Sequence, residues 1–386
     1  MTTTDTTQDL LADSAARYVE RGYTPAVRAA SLSSPHACHP QRWQEFAELG
    51  WLALPLPEGD AGLGGTVADL CRLAEALGPA TVAEPLLSNG LVAASLLADA
   101  GTPAQQQRWL PLLASGERRI AWAAWDAGQR FDALRLDTRA VPVADGWRLS
   151  GRKALVLGGG GADALVVSAR VDAPGQPTQP GLFIVDAAAA GLSWQPYAMF
   201  DGRHAAHVAL DDVVVGPDAC LDARPAGPAI ARALDLAMVV HAAEAAGAMA
   251  AALQITLDYL RTRKQFGRPL AGNQALQHRL VDLHVLIEET RALVQATAEA
   301  FDNAPAQRPA QVAATKAHAS MAARQVWEEC VQMHGAIGMT DDYALGRLVK
   351  HLAAFCTLFG DADHHLERLA DIEADAATAT TNTARN

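Results

Sequence analysis

Three stretches of this 386-residue chain place cations, carboxamides and glycines where chemistry is possible. RTRKQFGRPL (261–270) puts Arg261, Arg263 and Lys264 at the end of a long alanine-rich segment. Cations at a helix C-terminus are favoured by the dipole, so capping is one reading. The other is an anion site, with Arg263 paired to a phosphate and Phe266 covering a ring. The residues alone leave the two even. QMHGAIG (332–338) reads as a glycine C-cap, or as a turn where backbone approaches a ligand because glycine lacks Cβ. The four glycines 158–161 would need a strand before them and a helix after them to cradle a phosphate. Both flanks, KALVL and DALVVSAR, read as strands, so a β connection is the better reading. The histidine pairs His36/His39, His204/His207 and His364/His365 lack the convergent ligands or H-E-x-x-H spacing of a zinc site. No G-x-S-x-G elbow supports a serine nucleophile.

The elements around these stretches follow from apolar spacing. Residues 8–115 read as helices with short loops. TVADLCRLAEALG (66–78) keeps a helical period up to a Gly78-Pro79 stop, and PLPEGDAGLGG (55–65) is a Pro/Gly-rich loop. Residues 118–216 carry short apolar runs such as RLSGRKALVLGG, DALVVSAR, GLFIVDA and HVALDDVVVG, with a hairpin signal at Asp145-Gly146. From Pro228 helical patterning returns over 228–261, 272–302, 308–334 and 343–370, with short connections that fit an antiparallel bundle. The expected fold is α+β, mainly α. It has an N-terminal helical domain (1–116), a small antiparallel β domain (117–224), a C-terminal four-helix bundle (225–371) and a small, polar, disordered tail (372–386).

Composition narrows the function. Lys+Arg number 31 against 43 Asp+Glu, a net charge of −12, which argues against sequence-blind nucleic-acid binding. The five cysteines are scattered and never in C-x-x-C spacing, so a reducing, cytoplasmic setting is the simpler expectation. No signal peptide and no 18-residue apolar run is visible, so no membrane span is expected.

Taken together, order and spacing carry a resemblance. GWLALPLPEGDAGLGG (50–65), GTPAQQQRWLPLLASGE (101–117), RTRKQFGRPLAGNQALQHRLVDL (261–283) and QMHGAIGMTDDYALGRLVKH (332–351) resemble the acyl-CoA dehydrogenase family across nearly the whole chain. The resemblance implies FAD shared at a subunit interface. One protomer's β domain holds the isoalloxazine, and the neighbour's helical domain holds the adenosine-diphosphate half. Residues matching the second role are Arg263, Phe266, Gln274, Gln332 and the Gly335 turn. A guanidinium fork suits a bis-anionic pyrophosphate, which raises the anion-site reading of Arg263. The implied reaction is α,β-desaturation of an acyl-CoA thioester: a carboxylate removes the α-proton while the β-hydride moves to flavin N5, and a separate redox partner takes the electrons.

The departures from that pattern are specific. Family members that carry the base near the C-terminus have it in Tyr-Glu-Gly-Thr. Here the stretch is Leu358-Phe359-Gly360-Asp361, with Phe359 at the base position. Others carry the base on the helix before the arginine signature, at or near Ala237 here. Neither side chain takes a proton. Asp235 points about 200° around the helix from Ala237, whereas Glu244 lies near the same face about 10 Å along it. Glu244 and Asp342 are the fallback bases. The Thr-Glu-Pro segment that meets the flavin edge is Ala123-Ala124-Trp125-Asp126-Ala127-Gly128, and the Trp-x-Thr contact is Leu155-Val156-Leu157. A retained adenosine-diphosphate half beside an eroded flavin half is the pattern of one subunit in a heteromeric enzyme. GMTDDYALGRLVKHL and LFGDADHHLERLA resemble the small subunit of the pimeloyl-CoA and steroid side-chain types. The expectation is a base-less partner of a homologous large subunit in a heterotetramer. The alternatives are a self-sufficient homotetramer and a flavin-free binding protein.

Overall fold

The computed structural model describes residues 3–59, 61–175, 177–221, 226–265, 267–340 and 343–383. The chain opens with helices α1 (Thr3–Gly22), α2 (Pro25–Ser33), α3 (Pro40–Glu48), α4 (Val67–Leu77), α5 (Ala94–Ala100) and α6 (Pro103–Ala114). Strands β1 (Ile120–Ala123), β2 (Arg139–Val143), β3 (Gly146–Leu157), β4 (Ala164–Val171), β5 (Gln179–Asp186), β6 (Leu192–Ala198) and β7 (His204–Val215) follow. Then come α7 (Ala226–Thr262), the small hairpin of β8 (Lys264–Gln265) and β9 (Arg268–Pro269), and helices α8 (Gln274–Ala300), α9 (Arg308–His334), α10 (Ala344–Phe355) and α11 (Ala362–Thr383). The α+β, mainly helical architecture is the expected one.

The chain divides into two compact units. One joins Met1–Thr24, Val67–Thr81 and Met238–Asn386; the other joins Pro25–Thr66 and Val82–Ala237. The second unit is built on the sheet, in the order β1-β4-β2-β3-β7-β6 with β5 also paired to β4. Four pairings are antiparallel, as expected, including the tight β2–β3 hairpin. β1 and β2 both run parallel to β4. β4 is buried along its length except at Arg170, which explains its unbroken apolar run. Leu149, Val167, Phe183 and Val208 lie in the core of this unit. The 158–161 glycines form a short 3-10 turn between β3 and β4, so strands flank them on both sides. α6 starts on a capping box between Thr102 and Gln105, with Pro103 in the first turn. The Gln105 amide also donates to the Asp218 and Cys220 carbonyls, which ties α6 to the chain leaving β7.

In the first unit α1 packs on α4, α4 on α8, and α9 on α8, α10 and α11. α4 and α7 approach backbone to backbone. A Cβ built on Gly247 would lie 2.0 Å from the Glu75 carbonyl oxygen, and one on Gly78 would lie 2.3 Å from that of Glu244. α7 is long and apolar enough to cross a bilayer, yet 89% of its most apolar window is buried within the protein. The helix expected over 343–370 is two helices, because Phe359 (φ 62°) and Gly360 (φ 111°) take left-handed backbone between α10 and α11. α11 continues to Thr383, into the segment expected as a tail.

Candidate functional site

Arg263 follows the end of α7, and its backbone N–H donates to the Tyr259 carbonyl at 2.8 Å. Its own carbonyl accepts from Leu270 N–H at 2.9 Å, closing the β8–β9 hairpin. The guanidinium is therefore held outside the helix, and the residue is exposed. Gln274 begins α8 just after this hairpin and is also exposed. Gln332 lies in the last turn of α9, which ends at Gly335 with φ 66°. Nothing lies within 4 Å of a Cβ built on Gly335, so the turn presents open backbone. Phe266 lies outside the described residues.

An aromatic pair joins the two ends. The Tyr259 ring stacks on His334 with centroids 4.4 Å apart and an interplanar angle of 25°, and Tyr259 Oη donates to the His334 carbonyl at 3.3 Å. Tyr259 precedes Arg263 by one helical turn, and His334 directly precedes Gly335. The pair thus fixes the Arg263 turn against the Gln332–Gly335 turn. The His334 ring is buried, with Nδ1 on the Cys330 carbonyl at 2.8 Å. A carbonyl only accepts, so Nδ1 carries the proton and Nε2 is left as an acceptor. Burial lowers the imidazole's pKa and keeps it neutral. Nε2 is buried with no hydrogen-bond partner among the described residues. An exposed guanidinium, two carboxamides and an open glycine turn are groups of the kind that meet the phosphates and polar edges of a dinucleotide.

The base positions are apolar in space as well as in sequence. Phe359 is buried, with its ring edge-on to His241 at a centroid distance of 5.1 Å and 66°. Ala237 is buried on α7, and so is Asp235. Glu244 is buried too, and its Oε2 lies 3.4 Å from His351 Nε2 on α10. Asp342 lies outside the described residues.

The β-sheet segments lack the hydroxyls that would meet a flavin edge. Asp126 is buried against Lys153: Nζ lies 3.0 Å from Oδ1 and donates to the Ala124 carbonyl at 3.1 Å. Thr138 Oγ1 also donates to Asp126, and Asp137 N–H donates to Oδ2 at 2.8 Å. Desolvation lowers the Lys153 pKa to about 8, and Asp126 opposes that fall. The Trp125 ring packs on Trp122 at 6.1 Å, and Trp122 Nε1 donates to Ser168. Leu155 takes φ 51° at a bulge between Lys153 and Val156. An ion pair, indole rings and leucines fill these segments, and they do not fit an isoalloxazine edge that needs donors.

Comparison with known proteins gives this scaffold its class. The acyl-CoA dehydrogenase N-terminal domain model matches residues 5–117, and the C-terminal domain model matches 228–373. A solved structure of a variant of the Tcur3481-Tcur3483 steroid ACAD is 34% identical, covers 97% of this chain and 100% of that one, and superposes with a TM-score of 0.87. The chain belongs to the acyl-CoA dehydrogenase family, whose members are FAD-dependent oxidoreductases acting on acyl-CoA. The acyl-CoA dehydrogenase FadE12 of Mycobacterium tuberculosis is 29% identical over 313 residues, 80% of this chain and 81% of that protein. The ChsE4-ChsE5 complex from Mycobacterium tuberculosis contains a chain 25% identical, covering 95% of this chain and 97% of that one, with a TM-score of 0.86.

Several buried residues were not singled out from sequence: Tyr259, His241, His351 and Lys153, and, on α9, Lys316. A signal existed for the lysines. Lys153 stands inside the strand run RKALVL, and Lys316 inside AATKAHAS, each a cation within an apolar stretch. A lysine there is buried only with partners.

Proposed function

We propose that this chain is the base-less subunit of a heteromeric acyl-CoA dehydrogenase, completing the FAD site of a homologous large subunit with Arg263, Phe266, Gln274, Gln332 and the Gly335 turn. The observation that carries the reading is the base position itself: Phe359 is buried there, with its ring packed on His241. The Tcur3481-Tcur3483 and ChsE4-ChsE5 structures are each named for two components, which supports a paired assembly.

In that assembly FAD supplies the hydride acceptor for desaturation of the acyl-CoA thioester. This chain's contribution is binding and orientation. The Arg263 guanidinium neutralises phosphate charge, the Gln274 and Gln332 carboxamides meet polar edges, and the Gly335 turn lets backbone approach. The α-proton leaves to a carboxylate of the partner, and the electrons pass on to a separate redox protein.

Expression of the chain alone and with its homologous partner tests this. The lone chain should show no flavin absorbance, and the co-purified complex should show the full visible spectrum. Full flavin loading with turnover by the lone chain sinks the proposal. The rival reading, a homotetramer using Glu244, predicts that Glu244→Gln abolishes α-proton exchange. Under the present reading turnover by the complex survives that substitution. A flavin-free complex would instead support a binding role on the same scaffold.

A further inference from the structure

α7 ends at Thr262 and α9 at His334. The residues given a cofactor role flank these two ends: Arg263 after the first, Gln332 and Gly335 at the second. Groups on two separate helix ends act on one ligand only if the ends are held at a fixed spacing. Two rungs hold them. The Cys330 thiol hydrogen-bonds to the Thr256 hydroxyl, one turn back on each helix. The Tyr259 ring stacks on His334 at 4.4 Å, and its Oη donates to the His334 carbonyl at 3.3 Å. That carbonyl belongs to the peptide that carries the Gly335 N–H, which itself donates to the Val331 carbonyl. The Tyr259 carbonyl in turn accepts from Arg263 N–H at 2.8 Å. One residue is thus bonded to Arg263 through its carbonyl and to the Gly335 peptide through its phenol. The Tyr343 ring, at the start of α10, also packs on His334, at 5.2 Å and 58°. The rings lie inward of the exposed Arg263 and Gln332: His334 is buried and Tyr259 half-buried.

We propose that Tyr259 is a positioning residue for the dinucleotide half-site. Stacked on His334, it sets the spacing between Arg263 and the Gly335 turn, so that both meet one diphosphate. The inference deepens the subunit reading and rests on it. Tyr259 acts in this role through Arg263 and the Gly335 turn, and not by contact with the cofactor. The stack carries most of the effect, because the Oη bond is long and a phenyl ring can make the same stack. A displaced guanidinium keeps its charge but loses the forked geometry that makes its phosphate contact strong.

FAD retention by the co-purified complex, read as flavin absorbance after gel filtration over a range of salt, tests this. The salt slope reports the guanidinium–phosphate contact, which salt screens. Arg263→Ala should weaken retention and flatten the slope. Tyr259→Leu should flatten it too, with FAD affinity down roughly tenfold. Tyr259→Phe, which keeps the ring, should restore the slope and come within about threefold of wild type. In the Arg263→Ala background, Tyr259→Leu should have far less effect than it has alone. A merely structural loss would lower retention at an unchanged slope and multiply in full with Arg263→Ala. Either outcome overturns the proposal, as does Tyr259→Phe as weak as Tyr259→Leu. If Arg263→Ala changes neither retention nor slope, the cofactor role of Arg263 falls and the positioning role with it. If Arg263→Ala acts and Tyr259→Leu does not, the positioning role falls alone. If Tyr259→Leu does not fold, His334→Gln removes the same stack from α9 and is judged by the same outcomes.

Discussion

At the scale of single residues, burial decides what each ionisable group does. His365 has its pKa lowered from 6.5 to about 3, chiefly by desolvation, with the Lys316 charge adding to the fall. Between those values the unfolded chain binds a proton that the folded chain refuses, so stability rises with pH across this window and is lost on acidification. The loss is about 1.4 kcal/mol per pH unit at most. Thermal melts from neutrality downward should fall, and His365→Gln should flatten that acid limb; an unchanged slope would show that the imidazole is not held neutral. Such residues were poorly legible in sequence, since nothing in ADHHLERLA separates His365 from His364. Arg263, Gln274 and Gln332 were legible as members of ordered motifs, and all three are exposed. Phe359 was legible as a missing carboxylate but not as a ring fixed on His241.

At the scale of elements, α4 and α7 approach each other closely at two glycines. Gly247 on α7 faces the Glu75 carbonyl of α4, and Gly78, just after α4, faces the Glu244 carbonyl of α7. A methyl at 247 must push the helices apart, because the obstructing atom is backbone and cannot rotate away. Gly247→Ala should destabilise by about 1–3 kcal/mol despite alanine's better helix propensity. Denaturant unfolding measures it, and a neutral or stabilising result would mean that α4 does not sit this close. The helical periods were readable because α8 and α9 each bury a face. The break between α10 and α11 was missed, although Gly360 at positive φ and Asp361, whose Oδ1 accepts from His364 N–H at 2.9 Å, mark it locally. Nor could period alone show the parallel pairing of β1 and β2 with β4, which depends on crossovers and not on alternation.

At the scale of the whole molecule, a net charge of −12 coexists with a site proposed to hold an anionic cofactor. The two are compatible because the charge is unevenly placed. Arg261, Arg263, Lys264 and Arg268 fall within one exposed turn and hairpin. The field there is local, and salt screens exposed charges over roughly 10 Å, so added salt should weaken cofactor retention. Within the proposed heteromer, Arg263→Ala removes a charge-assisted bond of about 1.5–3 kcal/mol from a group that supports little of this chain's own fold. FAD affinity of the complex should fall by roughly 10–100-fold, while the melting of the isolated subunit barely moves. Flavin absorbance per complex after gel filtration reads the first, and a thermal melt of the lone chain reads the second. Full flavin retention in the variant complex would remove Arg263 from the cofactor site, and a collapsed melt would return it to the helix-capping role with which it began.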